Sequence, residues 1–206
     1  MVITISRTYG SGGRVMGKAL AQKLGCKFYD RELMRMLSDQ TGINEALFGE
    51  SDDKLNHTYI GTDTGWVDDW GPLPPSDKRY TSESNLFRLQ AKMIRELSEG
   101  EDCIIMGRCA DAVLSDNKDV IRVFCYASES DCIKRTMEVC GLDEKEAIKR
   151  IAKLDKFRKA YYYHFTGRSI DEATNYDLCI NTGSMSVDAL SDIVLDYIKT
   201  WEKNRC

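Results

Sequence analysis

The first twenty-five residues constrain this chain more than any other part of it. Val2, Ile3, Thr4 and Ile5 form a β-branched run that reads as a buried strand. Gly10, Ser11, Gly12 and Gly13 follow as a loop almost without side-chain bulk. From Arg14 an amphipathic helix carries Val15, Leu20 and Leu24 on its apolar side and stops at Gly25. Strand, glycine loop and helix in that order aim successive backbone N–H groups and a helix N-terminus at one point, where a phosphate is held.

The loop departs from the best-known version of this device. A Walker A loop ends in Gly-Lys-[Ser/Thr], with the lysine on the β/γ-phosphates and the hydroxyl on Mg²⁺. Here Arg7 stands at the place of the first glycine, Gly13 at that of the lysine and Arg14 at that of the hydroxyl. A frame-shifted match at Gly12, Gly17, Lys18 and Ala19 is rejected, because it delays the lysine by five residues and Ala19 has no hydroxyl. Lys18 then reads as a solvated helix residue. The backbone N–H donors survive and one point charge is lost; Arg14, or Arg7 at the strand end, is placed to replace it. A cation at a helix start opposes the helix dipole unless an anion lies in front of it, so Arg14 favours a phosphate there.

Bulk properties exclude other classes. A chain of 206 residues buries one full α/β core with room for an insertion. With 29 basic and 33 acidic residues, net −4, it offers no electrostatic case for nucleic acid as partner. The apolar stretch Val2–Ile5 is too short for a signal peptide, and no segment approaches the roughly 18 apolar residues of a membrane span. A cytoplasmic location is expected. The eight cysteines include no C-x-x-C pair, and His57 and His164 are not spaced as ligands. Cys103, Cys125 and Cys179 lie in apolar runs and are expected as small buried hydrophobes, so no protein metal ligand is assigned.

Further strands are expected at Lys27–Phe28, Cys103–Met106, Val120–Cys125 and Leu178–Asn181. Helices are expected over Arg31–Gln40, Ser82–Ser98, Ser130–Val139, Asp143–Tyr163 and Ser186–Trp201. Alternation of this kind implies a five-stranded parallel sheet between two helical layers, with ligands beyond the carboxyl ends of the strands. The stretch Gly49–Thr81 differs: it holds all three prolines and Trp66 and Trp70, with little periodicity. A loop this long is a lid or a binding element, or is disordered. Anchoring to the core is the preferred reading of the two tryptophans, closure over a flat base the other.

Motifs directly after strands carry the chemistry. Asp30, after the second strand, is either the cap of the next helix or a group that orients an acceptor, with Arg31 or Arg35 near the acceptor's phosphate. Gly107-Arg108 ends the third strand and places a planar guanidinium at the ligand edge, unless Arg108 only pairs with Asp111 on the surface. The helix Asp143–Tyr163 is basic in its middle, with Arg150, Lys153, Lys156, Arg158 and Lys159 around Asp155, and runs into Tyr161, Tyr162 and Tyr163. It is either a solvated face or the basic lid that phosphoryl transfer needs. Asn181, Thr182, Gly183 and Ser184 form a loop suited to a base, or simply a turn.

In order along nearly the whole chain these motifs resemble the cytidylate kinase-like family, a branch of the P-loop nucleoside monophosphate kinases. The matching segments are Ile5-Ser-Arg-x-Tyr-Gly-Ser-Gly-Gly13, Phe28-Tyr-Asp-Arg-Glu-Leu33, Met106-Gly-Arg-Cys-Ala-Asp111, Asp155-Lys-x-Arg158 with the tyrosines, and Tyr176-Asp-Leu-Cys-Ile-Asn-Thr182. The resemblance implies one P-loop kinase-like domain. Its core would be 1–40, 100–140 and 170–206, its monophosphate-binding insertion about 41–99 and its lid about 143–168. ATP would be co-substrate, with Mg²⁺ carried by the nucleotide, and CMP or dCMP the acceptor. Gly10, Ser11, Gly12, Gly13, Arg14 and Thr182 would hold the donor phosphates. Arg14, Arg150, Lys153 and Arg158 would neutralise charge, and Asp30, Arg31, Arg108, Asp155 and Arg158 would position the acceptor. Three departures stand out: Cys109 for a base-reading aspartate, with Asp111 two residues on; Leu154 among the lid arginines; and Gly13-Arg14 for the lysine and hydroxyl. They keep two other readings open, a nucleotide-binding sensor with little turnover and a kinase for a non-nucleotide acceptor.

Overall fold

Residues 1–48 and 71–204 are described by the computed structural model. Five strands form one sheet: β1 (Val2–Arg7), β2 (Lys27–Tyr29), β3 (Cys103–Met106), β4 (Val120–Tyr126) and β5 (Leu178–Asn181). Every pairing is parallel, in the order β2-β3-β1-β4-β5. The central strand β1 pairs Val2 with both Cys103 and Val120. The chain therefore winds outward in both directions from β1, and the crevice beyond its carboxyl end is the switch point where such sheets bind ligands.

Alternation along the strands builds two cores. Ile3, Ile5, Ile104, Met106, Ile121, Val123 and Cys125 face one side, against α1 (Gly13–Leu24) and α7 (Val187–Lys203). Val2, Cys103, Ile105 and Val120 face the other, against α2 (Glu32–Thr41), α3 (Glu83–Gly100) and the short α4 (Ala110–Val113). Beyond β4 lie α5 (Glu129–Cys140) and the long α6 (Glu144–Thr166), which pack on each other. The expected three-layer α/β/α arrangement with a five-stranded parallel sheet is present.

Helix ends follow side-chain chemistry. Ser82, Ser128, Asp143 and Ser186 each accept an N–H from the first turn of α3, α5, α6 and α7 respectively. Asp143 and Glu146 complete a reciprocal capping box. Two sequence expectations are corrected. Val15 is 57% exposed; the buried stripe of α1 is Gly13, Met16, Gly17, Leu20 and Ala21, because the helix begins at Gly13. Cys179 is exposed on edge strand β5, whereas Cys103 and Cys125 are buried as expected. Burial pushes the Cys125 thiol up to about 12. Trp66 and Trp70 lie outside the described residues. Among the described residues no helix is long and apolar enough to cross a membrane.

Candidate active site

The loop between β1 and α1 is tied down on every side. Thr8 N–H donates to the Cys125 carbonyl of β4, and the Ser11 hydroxyl donates to the Thr8 carbonyl. Gly10 and Gly12 both have positive φ, +76° and +85°. A Cβ at Gly10 would lie 2.7 Å from the Cys132 carbonyl oxygen, so α5 lies directly against the loop. Arg135 of α5 donates to the Ser11 carbonyl at 2.5 Å and to the Thr182 carbonyl, and the Thr182 hydroxyl donates to the same Ser11 carbonyl. The N–H groups that open α1 precede its first internal bond, Val15 N–H to Gly12, and mark the mouth of a cleft lined by Gly10, Gly12 and Gly13.

That cleft is strongly cationic. Among the described residues it is lined by six arginines (Arg7, Arg14, Arg31, Arg135, Arg150 and Arg158) and a single carboxylate, Asp30. Arg14 Nε lies 2.5 Å from Asp30, and its side chain is 42% exposed. Helix α6 docks through Tyr9 of the loop. Tyr9 N–H donates to Asp155 at 2.7 Å, Arg150 Nε donates to the Tyr9 hydroxyl at 2.9 Å, and the Arg158 guanidinium lies 5.3 Å from the Tyr9 ring centre. Asp155 also pairs with Arg158 at 3.7 Å. Burial raises the Asp155 carboxyl above its ordinary value, opposed by the Tyr9 amide and by Arg158.

A second cavity, with about 590 Å³ of empty space partly open to solvent, adjoins the first. Arg108, Cys109, Phe157, Tyr161 and Tyr162 are among its walls. Arg7, Asp30 and Arg158 line both cavities and form their junction. The turn that presents Arg108 is strained: Gly107, Arg108 and Cys109 have φ of +70°, +60° and +55°. Left-handed backbone at two consecutive non-glycine residues costs stability and persists where the surroundings impose it. Here Gly107 N–H donates to the Ile5 carbonyl, and the Cys109 carbonyl opens α4.

The structure sorts the sequence candidates. Gly10, Gly12, Gly13, Arg14, Arg150 and Arg158 line the first cleft, and Asp30, Arg108 and Arg158 the second cavity. Asp30 is not a helix cap: Arg31 takes that position in α2, without a side-chain cap bond. Arg31 lines the loop-side cleft rather than the Arg108 cavity, and Arg35 is exposed. Lys153 is exposed and lines neither cavity, because it falls on the outer side of α6. The Ser11 and Thr182 hydroxyls are buried and spent on carbonyls, so both residues brace the loop. Asp155 holds Tyr9 and Arg158 rather than lining either cavity. Sequence reasoning missed Tyr9 and Arg135; an arginine less than two turns before a Gly141 stop is a weak signal by itself.

Of the two residues weighed as base readers, Asp111 points elsewhere and Cys109 brings only a buried thiol to the second cavity's wall. Cys109 packs among Phe87, Tyr162 and Phe165, and burial holds its thiol well above the ordinary value. Asp111 is 3% exposed, accepts hydroxyls from Ser6 at 3.2 Å and Tyr162 at 2.6 Å, and so ties helix α6 to β1 instead of pairing with Arg108. Burial raises the Asp111 carboxyl, against the opposing Tyr162 and Ser6 hydroxyls. The folded chain then holds this proton more tightly than the unfolded one. Its ionisation costs stability that is absent below about pH 4 and grows as pH rises through the raised folded value. Asp111→Asn cannot ionise, so its melting temperature is expected to gain on the wild type as pH is raised across that window. A difference constant from pH 4 to 7 would contradict the raised carboxyl.

Residues 2–184 match the cytidylate kinase-like family. The chain belongs to that family. It is 24% identical over 201 residues to the cytidylate kinase of Archaeoglobus fulgidus, covering 97% of this chain and 95% of the relative. Among solved structures it is similar to an uncharacterised protein of Eubacterium ventriosum, with TM-score 0.71, 27% identity, and 97% and 99% of the two chains covered. A shikimate kinase of Bacteroides thetaiotaomicron shares the fold at TM-score 0.57 and 17% identity, covering 97% and 98%. Membership in the cytidylate kinase-like family, on a P-loop kinase fold, supports a phosphotransferase acting on a nucleotide or other small molecule.

A kinase of this family uses ATP and, in general, Mg²⁺. Where a loop hydroxyl would meet that ion, this chain has Arg14 on Asp30 and then the exposed Val15. These residues do not fit a direct protein ligand for Mg²⁺.

Proposed function

We propose that the protein transfers the γ-phosphoryl group of ATP to a nucleoside monophosphate, CMP or dCMP being the preferred acceptor. The observation that carries this reading is the junction: a phosphate-loop cleft and an Arg108 cavity share Arg7, Asp30 and Arg158. Donor phosphates lie on the N–H groups of Gly10–Arg14, with Arg14, Arg150 and Arg158 balancing their charge. Arg108 takes the acceptor's phosphate, and the aromatic wall of Phe157 and Tyr161 takes its flat ring. An acceptor phosphate oxygen, already anionic, attacks the γ-phosphorus; the bond to the β-bridging oxygen breaks, and ADP leaves with the electron pair. No general base is required, and catalysis is positioning plus electrostatic stabilisation. The cytosine preference rests on the family, since Cys109 brings only a thiol to the cavity wall and Asp111 is turned to Tyr162 and Ser6.

A second reading, a nucleotide-binding protein with little turnover, is favoured by the Arg14–Asp30 pair at 2.5 Å, which engages the cation at the helix start. Product-resolved assays with ATP, Mg²⁺ and CMP, dCMP, UMP, AMP or GMP separate the two. A diphosphate formed from CMP or dCMP ahead of the others is the expected result. ATP binding without product from any acceptor would favour the second reading.

A further inference from the structure

We propose that Arg7, at the end of β1, is the catalytic cation that replaces the absent loop lysine, bridging donor and acceptor phosphates at the junction of the two cavities. The inference deepens the kinase reading and rests on it.

Arg7 and Gly13 exchange bulk relative to the Walker pattern: the position that normally lacks a side chain carries a guanidinium, and the position that normally carries the cation lacks a side chain. The structure gives this exchange a steric basis. A Cβ built at Gly13 would lie 3.4 Å from the Arg7 Cβ and 2.8 Å from the Cys125 Cβ. Gly13 is bare because the ends of β1 and β4 fill the space in which a lysine stem would start. The charge has moved to the strand end across that contact.

Placement decides between Arg7 and the other arginines. Arg14 and Arg150 line only the loop-side cleft; of Arg7 and Arg158, which line both cavities, Arg7 alone stands at the strand end directly across the Gly13 contact. Arg7 lines both cavities, and its Nη1 comes within 3.6 Å of the point where a Cβ on Gly107 would stand. Its guanidinium thus extends from the loop side toward the Arg108 turn, along the path a phosphoryl group must cross. A planar fork contacts two oxygens at once, and this suits a phosphoryl group whose charge is spread over its equatorial oxygens better than a point charge does.

Initial rates of Arg7→Ala and Arg7→Lys test the assignment, with melting temperatures measured alongside. The kcat of Arg7→Ala is expected to fall by ~10²–10³-fold, as for loss of one transition-state donor. KM for ATP and acceptor should change far less. Guanidinium chloride at millimolar concentration should restore part of the lost kcat of Arg7→Ala without affecting the wild type. Arg7→Lys keeps the charge on a shorter stem and should lie between the two, which preserves the test if the alanine variant folds poorly. Wild-type kcat in Arg7→Ala, or a loss that guanidinium does not restore, would overturn the assignment while the kinase reading stands. If the wild type itself transfers no phosphoryl group to any monophosphate, the reading falls and the assignment with it.

Discussion

Gly13→Lys, which restores the lysine of a Walker loop, is expected to lower phosphoryl transfer and to cost about 3 kcal/mol of stability. The nearest atoms to the new Cβ would be the Cys125 Cβ at 2.8 Å and its Sγ at 3.2 Å, in a residue that is fully buried. Neither is the free end of a flexible chain, so β4 or the start of α1 must shift. Because the start of α1 presents the N–H groups proposed to hold the donor phosphates, a shift there also lowers activity. For a chain of this size the loss corresponds to a melting-temperature drop of about 10 °C. Gly13→Lys with Cys125→Gly removes both close atoms and should recover most of the drop. A stable, more active Gly13→Lys protein would show that the loop tolerates the lysine and lacks only its charge.

Arg108→Gly is expected to raise KM for the acceptor by about 100-fold while leaving the melting temperature close to wild type. The affinity loss is that of one charged hydrogen-bonding partner to a phosphate, about 2.7 kcal/mol. Stability is spared because glycine relieves left-handed strain at φ +60°. That relief offsets glycine's greater freedom in the unfolded chain and the lost Arg108 bond to the Phe48 carbonyl at 3.3 Å. KM for ATP should stay near the wild-type value, since Arg108 lines only the second cavity. A large fall in melting temperature with both KM values rising together would make Arg108 a structural residue.

Much of the architecture was legible because its signals are local. Strand cores are β-branched or apolar runs bounded by loops, and four helices open on a serine or aspartate cap. The glycine loop was legible through backbone needs alone, and Gly10 and Gly12 do take positive φ. What stayed hidden depends on contacts across the chain. Arg135 reaches the Ser11 carbonyl over 124 residues, and Asp155 meets Tyr9 over 146. No spacing rule marks either. Thr182 looked like a ligand contact, and only the fold reveals that its hydroxyl is consumed by Ser11 and Tyr126. Asp111 beside Gly107-Arg108 suggested a surface pair; the strained turn instead sends its carboxylate inward to Tyr162.

Following the label of [γ-³²P]ATP through a reaction with CMP tests the central claim most directly. If the phosphoryl group crosses the Arg7–Asp30–Arg158 junction in a ternary complex, the label is expected in the β-phosphate of CDP, formed only when both substrates are present. Label released as inorganic phosphate, or held covalently on the protein before CMP is added, would contradict direct transfer between the two cavities.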